Sequence, residues 1–137
     1  MKNKMITMLA VAFFSAAMVL TPGCKKNTPP PAAYNPSFSA TALPYNVGGI
    51  DYLSFMLTCT TDDIEVIKVE LSGPGGAYSD TYTGSGMIFL RNEPMTLSSD
   101  YPKLLGTWTF TVTGNIKSGT HSGESFYGTT SVNVTGK

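Results

Sequence analysis

The chain has 137 residues, nine basic and nine acidic side chains, and a formal net charge of zero. Binding to nucleic acid needs a clustered basic face, which a charge-balanced chain of this kind does not supply. Two cysteines and one histidine are also too few for a zinc centre, which draws on several such ligands.

The N-terminal stretch up to Cys24 reads as an export signal. Lys2 and Lys4 form a basic start, residues 6–20 are an uncharged, mostly apolar run, and Thr21-Pro22-Gly23-Cys24 follows. A basic region, a short apolar region and a small residue before a cut site mark a segment that is removed rather than folded. The apolar run has 15 residues, whereas a membrane-spanning helix needs roughly 20. A cysteine directly after the small Gly23 resembles the lipobox of bacterial lipoproteins, in which that cysteine receives lipid and becomes the mature N-terminus. The family places Leu three positions before the cysteine; here Leu20 stands one position further away, with Thr21 and Pro22 between. The alternative is an ordinary signal peptide cut near Gly23, which leaves Cys24 a free thiol.

The resemblance implies a signal helix over residues 1–23 and attachment to a membrane through lipidated Cys24. One acyl chain, at about 0.8 kcal/mol per buried methylene, holds only marginally. The two or three chains of the lipoprotein family hold stably. Lys25 and Lys26 resemble an outer-membrane sorting signal more than an inner-membrane retention signal, which points to the envelope of a Gram-negative cell. Loss of residues 1–23 leaves seven basic and nine acidic side chains, a charge of −2. The remainder suits one domain of about 100 residues. With Cys24 acylated, Cys59 has no partner for an intrachain disulfide, so stability must come from a core.

Residues 24–36 contain Pro29-Pro30-Pro31. Consecutive prolines favour an extended conformation at about 3.1 Å per residue, so this stretch reads as a lipid-anchored tether; a proline-rich ligand is the rarer use. From residue 37 to 137 the pattern is β throughout. Phe38, Ala40 and Ala42 alternate with polar residues up to Pro44, and Gly48-Gly49 makes a turn. In residues 50–60, Leu53, Phe55, Leu57 and Cys59 share one face, the period of a half-buried strand. Residues 64–72 are read with Ile67, Val69 and Leu71 inward and Lys68 and Glu70 outward. A short polar strand at a sheet edge is expected over 77–83, a turn at Gly84-Ser85-Gly86, and short strands over 87–90 and 95–98. Residues 107–117 give the clearest alternation, with Trp108, Phe110, Val112 and Ile116 on one face, and threonine and aromatic propensities agree with it. The last strand, over 124–135, carries Phe126, Val132 and Val134 on one face and forms a hairpin with its predecessor.

Seven or eight short strands separated by turn signals predict a single antiparallel β-sandwich. The segment Leu105-Gly106-Thr107-Trp108-Thr109-Phe110-Thr111-Val112 resembles the penultimate strand of immunoglobulin-like and fibronectin-type-III-like bacterial domains, which commonly place tyrosine where Trp108 stands. Cys59 occupies a second-strand site where immunoglobulin domains often carry a cysteine. Phe110 and Val112 take the inward places facing it, so the antibody-type disulfide is ruled out and only the architecture is implied. Cys59, Trp108 and Phe110 are accordingly expected in the core.

Little here carries chemistry. His121 lies among glycines and serines in a loop, and no strand-to-helix nucleophile elbow accompanies it, so it reads as a solvated loop histidine. Asp62 and Asp63 are adjacent and read as strand breakers; with Asp100 they are the candidate calcium ligands, without EF-hand spacing. No cofactor pattern is present. Tyr45, Tyr52, Tyr78, Tyr82 and Tyr127 fall at strand edges or on faces read as outward, and tyrosine offers a flat apolar ring with a polar tip to sugars and proteins alike. The same rings also serve simply to cover a sheet. Three readings follow. The first is a non-enzymatic envelope lipoprotein presenting the sandwich as a binding or assembly module. The second is a carbohydrate-binding accessory of an outer-membrane glycan-uptake system, and the least favoured is a small secreted hydrolase.

Overall fold

Alternation of apolar and polar residues builds seven strands among the residues described by the computed structural model, 33–136. They are β1 (Phe38–Val47), β2 (Ile50–Cys59), β3 (Ile64–Ser72), β4 (Ser79–Phe89), β5 (Pro94–Pro102), β6 (Gly106–Ile116) and β7 (Ser125–Val134). The expected signal segment and Cys24 lie outside the described residues. All pairings are antiparallel, giving a three-stranded sheet β1-β2-β5 and a four-stranded sheet β4-β3-β6-β7. Val47 pairs with Ile50 across Gly48 and Gly49, both at positive φ. Such a two-residue turn matches the twist of the strands it joins.

The sheets meet through their inward rows. Leu53, Phe55, Leu57 and Cys59 of β2 and Trp108, Phe110, Val112 and Ile116 of β6 are all buried. Phe55 contacts the opposite sheet directly, with its ring centroid 4.9 Å from Trp108 and 5.0 Å from Phe110. The indole N–H of Trp108 donates to the Leu104 carbonyl at 3.0 Å, which satisfies its one polar group on burial. Cys59 is a buried free thiol.

Strand β3 corrects the expected facing of Ile67, which is 45 % exposed while Ile64 and Val66 are buried. The register of β3 shifts between Val66 and Lys68 against both of its neighbours. The extra residue of this bulge changes the phase, so Ile64 and Val66 face inward before it and Val69 and Leu71 after it. Both neighbours carry glycine here. A Cβ on Gly114 of β6 would lie 2.0 Å from the Glu65 carbonyl oxygen, and one on Gly84 of β4 would lie 2.5 Å from that of Val66. Gly84-Ser85-Gly86 is therefore not the expected turn. It lies inside one continuous strand, β4, as three residues that stand against Ile67 alone in the register with β3, an irregularity at which glycine is at home. Strand β5 likewise runs on to Pro102 rather than ending at 98.

Every strand links the same two ends. The chain enters at the end formed by residues 33–37, 60–63, 90–93 and 117–124. The opposite end holds the Gly48-Gly49 hairpin, residues 73–78 and 103–105, and the residues that follow β7.

The bulge makes two isoleucines of one strand behave differently. Ile64→Ala should cost about 2–5 kcal/mol, whereas Ile67→Ala should stay within about 0.5 kcal/mol, both measured by denaturant unfolding. Trp108→Ala should cost about 3–5 kcal/mol, a large share of a typical total of about 5–15 kcal/mol. A maleimide should label Cys59 only once the protein unfolds.

Candidate functional site

Leu53 is buried in the core and pairs with Pro44, so their neighbours Tyr45 and Tyr52, directly opposite each other in the register, turn to the outer face of the three-stranded sheet. Their rings lie 5.8 Å apart at 29°. The Tyr45 hydroxyl donates to Asp100. Asp100 belongs to β5, two strands away, so the Tyr45 ring lies across β2 instead of standing up from the sheet. That hydrogen bond to a carboxylate, reinforced by desolvation, pushes the Tyr45 phenol from its ordinary 10.0 up to about 12. Beside the pair, Asp51 accepts from Asn46 Nδ2 at 2.8 Å and from Lys103 Nζ at 3.2 Å. The Asn46 hydrogen bond first, and then Lys103, hold its carboxyl below the usual range. The result is a flat aromatic surface rimmed by two carboxylates. The same end of the sandwich exposes Val47, Ile50 and Leu105, each more than half accessible.

The other tyrosines do not join this pair. Tyr78 is half-buried against Trp108 and Tyr101, at 5.8 and 5.9 Å, and covers the core. Tyr82 pairs with buried Val69 and so shares its inward phase at the edge strand β4. Tyr127 stands alone on the outer face of β7, 60 % exposed.

A second cluster holds the entering chain. Tyr34 stacks on His121 with ring centroids 3.9 Å apart and planes within 4°. Its hydroxyl donates at 2.8 Å to Asp62, the one buried charged residue of the described chain. This hydrogen bond is the main cause of the raised Tyr34 pKa. His121 Nδ1 lies 3.2 Å from Glu124 Oε2. Asp63 braces the neighbouring loops by accepting from the Arg91 amide at 2.7 Å and donating its own amide to Ser118 Oγ at 2.9 Å. Asp62 and Asp63 thus lie at the entry end and Asp100 towards the other. Among the described residues no group of three His, Cys, Asp or Glu side chains is placed to hold a metal. Tyr34 falls in the stretch read as tether, and nothing in its local sequence announces a stacking partner 87 positions later.

A scan against protein-family models and searches of curated proteins and of solved structures found no match.

The Tyr45–Asp100 contact has a signed pH dependence. A phenol whose folded pKa lies above its unfolded value contributes stability that is complete below pH 10.0 and is lost as the pH climbs through about 12. Ultraviolet titration should show one late-ionising tyrosine disappear in Tyr45→Phe and titrate earlier in Asp100→Asn. Across that window, wild type should lose stability relative to Tyr45→Phe.

Proposed function

We propose that the chain is a lipoprotein of the Gram-negative cell envelope, anchored through Cys24, that presents its β domain as a non-enzymatic binding or assembly module. The anchor follows from the Lys2–Lys4, apolar, Gly23-Cys24 sequence, and outer-membrane placement from Lys25 and Lys26. The observation that carries the module is the exposed apolar hairpin tip beside the Tyr45–Tyr52 pair. The chain enters at the end where Tyr34 stacks on His121, and the opposite end exposes Val47, Ile50 and Leu105. Val47 and Ile50 face each other across the hairpin next to the Tyr45–Tyr52 pair, and exposed apolar side chains grouped in this way suit contact with another molecule; Leu90, 58 % exposed at the entry end, stands apart from them. The strand order β1-β2-β5 and β4-β3-β6-β7 supports an immunoglobulin-like or fibronectin-type-III-like architecture, since the second and fifth strands share one sheet and the third, sixth and seventh the other. Architecture does not select a ligand.

The laid-down Tyr45 ring beside Tyr52, with Asp100 and Asp51 as hydrogen-bond acceptors, favours glycan binding as the second reading. A glycan array that lights up with wild type and goes dark with Tyr52→Ala supports it; an array without signal removes it.

The anchor is tested by intact mass and fractionation. Wild type should begin at Cys24 with added acyl mass and pellet with envelope membranes. Cys24→Ala should lack the lipid and keep the wild-type unfolding curve. An unmodified N-terminus at Cys24 would overturn the lipoprotein reading.

A further inference from the structure

Strands β1 and β7 are edges of different sheets on one side of the domain, and the directions of their main-chain groups can be assigned. The Ile116 amide donates to the Glu124 carbonyl at 2.8 Å at the foot of the β6–β7 hairpin. Hydrogen-bonded pairs alternate along an antiparallel ladder, so even-numbered residues of β7 bond to β6 and odd-numbered ones turn N–H and C=O to the free edge. Tyr127 fits this parity, for its amide donates to Asn35 Oδ1 at 3.1 Å. By the same reasoning the Thr60 amide bonded to the Ser37 carbonyl at 2.9 Å puts the main-chain groups of Ala40 and Ala42 on the free edge of β1.

Near the entry end this side is closed by Asn35 and by Thr130, whose hydroxyl donates to the Phe38 carbonyl at 3.2 Å. Further along, the outward amides and carbonyls of Ser131 and Asn133 have no partner among the described residues. Beside them lies a groove of about 290 Å³ lined by Ala40, Ala42, Pro44, Val132 and Val134, with Thr41, Asn133 and Thr135 adding a polar share. It exists because β1 places alanines opposite Phe55 and Leu57 in the register, where larger side chains would fill the gap.

Sheet edges are usually blunted by proline, charge or irregularity. Edge strand β1 contains Pro44, β5 begins and ends with proline, and the register of β4 is broken at the bulge. Strand β7 has no proline, no charged residue and no register shift. Its open stretch is therefore the edge best suited to pair.

We propose that β7 at Ser131 and Asn133 is a strand acceptor for an extended segment of a second protein carrying small apolar side chains at alternate positions. The proposal rests on the binding-module reading and names its partner's chemistry. The guest main chain pairs with Ser131 and Asn133, and its inward side chains enter the groove beside Ala40 and Ala42. The chain's own leading segment is a poor occupant. It joins the domain at the other end of β1, and Pro29, Pro30 and Pro31 have no amide to donate.

The test uses detergent-solubilised full-length protein and the synthetic peptide Lys-Thr-Val-Thr-Val-Thr-Lys. Hydrogen–deuterium exchange should show Ser131 and Asn133 protected on peptide addition. Asn133→Pro, which removes an amide that does not face β6, should weaken binding by about tenfold, the worth of one main-chain hydrogen bond. If that variant does not fold, the same loss should appear when the central threonine amide of the peptide, which an antiparallel guest with inward valines turns to β7, is N-methylated. Equal binding by the methylated peptide, or protection confined to β4 or β5, overturns the proposal. So does protection of Ser131 and Asn133 without peptide at a doubled mass, which would make a second copy the occupant. Absence of peptide binding in a protein that still pellets with membranes overturns the strand acceptor alone, and leaves the envelope reading intact.

Discussion

The domain depends on one contact between its sheets, the packing of Phe55 against Trp108 and Phe110 at 4.9 and 5.0 Å. Among the described residues no disulfide crosses the gap, and Cys59 is buried and unpaired. Burial alone must therefore hold the sheets at their spacing, with each tilted or edge-on aromatic pair adding about 0.5–1.5 kcal/mol beyond its buried area. The contact also dictates local geometry. Trp108 can sit in the core only because Leu104, in the turn before β6, offers its carbonyl to the indole. The Leu104 amide in turn donates to the Pro102 carbonyl, so the turn and the core settle together.

The sequence made the centre of this fold legible and its margins less so. Strands β2 and β6 alternate without interruption, and their inward residues lie where period two puts them. Strand β3 defeats the same rule, because Ile67 reads equally well in either phase until the neighbouring strands are known. What fixes the bulge is the pair Gly84 and Gly114, which approach from two other strands and are far away in sequence. The tyrosines show a similar limit. Tyr45 and Tyr52 meet because a short hairpin sets their register, which local pattern captures. Asp100 joins them only through the β2–β5 pairing, a long-range contact that no neighbouring residue signals. Tyr34 was hidden for another reason: a proline-rich stretch has no period from which docking could be read.

Surface electrostatics contribute specificity of arrangement more than stability. Lys68–Glu70, Lys103–Asp51 and Lys117–Glu65 are all partly solvated pairs, and exposed pairs of this kind are individually worth little. What distinguishes the two ends is the kind of contact made there. The entry end is tied by hydrogen bonds to Asp62 and Asp63, whereas the other end is an aliphatic hairpin tip beside an aromatic pair. The side between β1 and β7 differs from both, offering main-chain hydrogen bonds beside small apolar residues. Three chemically distinct surfaces are thus arranged around a single core.

The position of chain entry also determines how the domain answers mechanical load. The polypeptide enters β1 at Phe38, and the register with β2 runs from there to Val47 at the far end. A pull applied at Phe38, with residues 103–105 at the far end held, acts along the strands. It loads the β1–β2 ladder in shear, so that its hydrogen bonds resist together instead of opening one after another. Tension at right angles to the strands would instead unzip the same ladder from one end. A domain loaded this way is strongest along the direction of its strands.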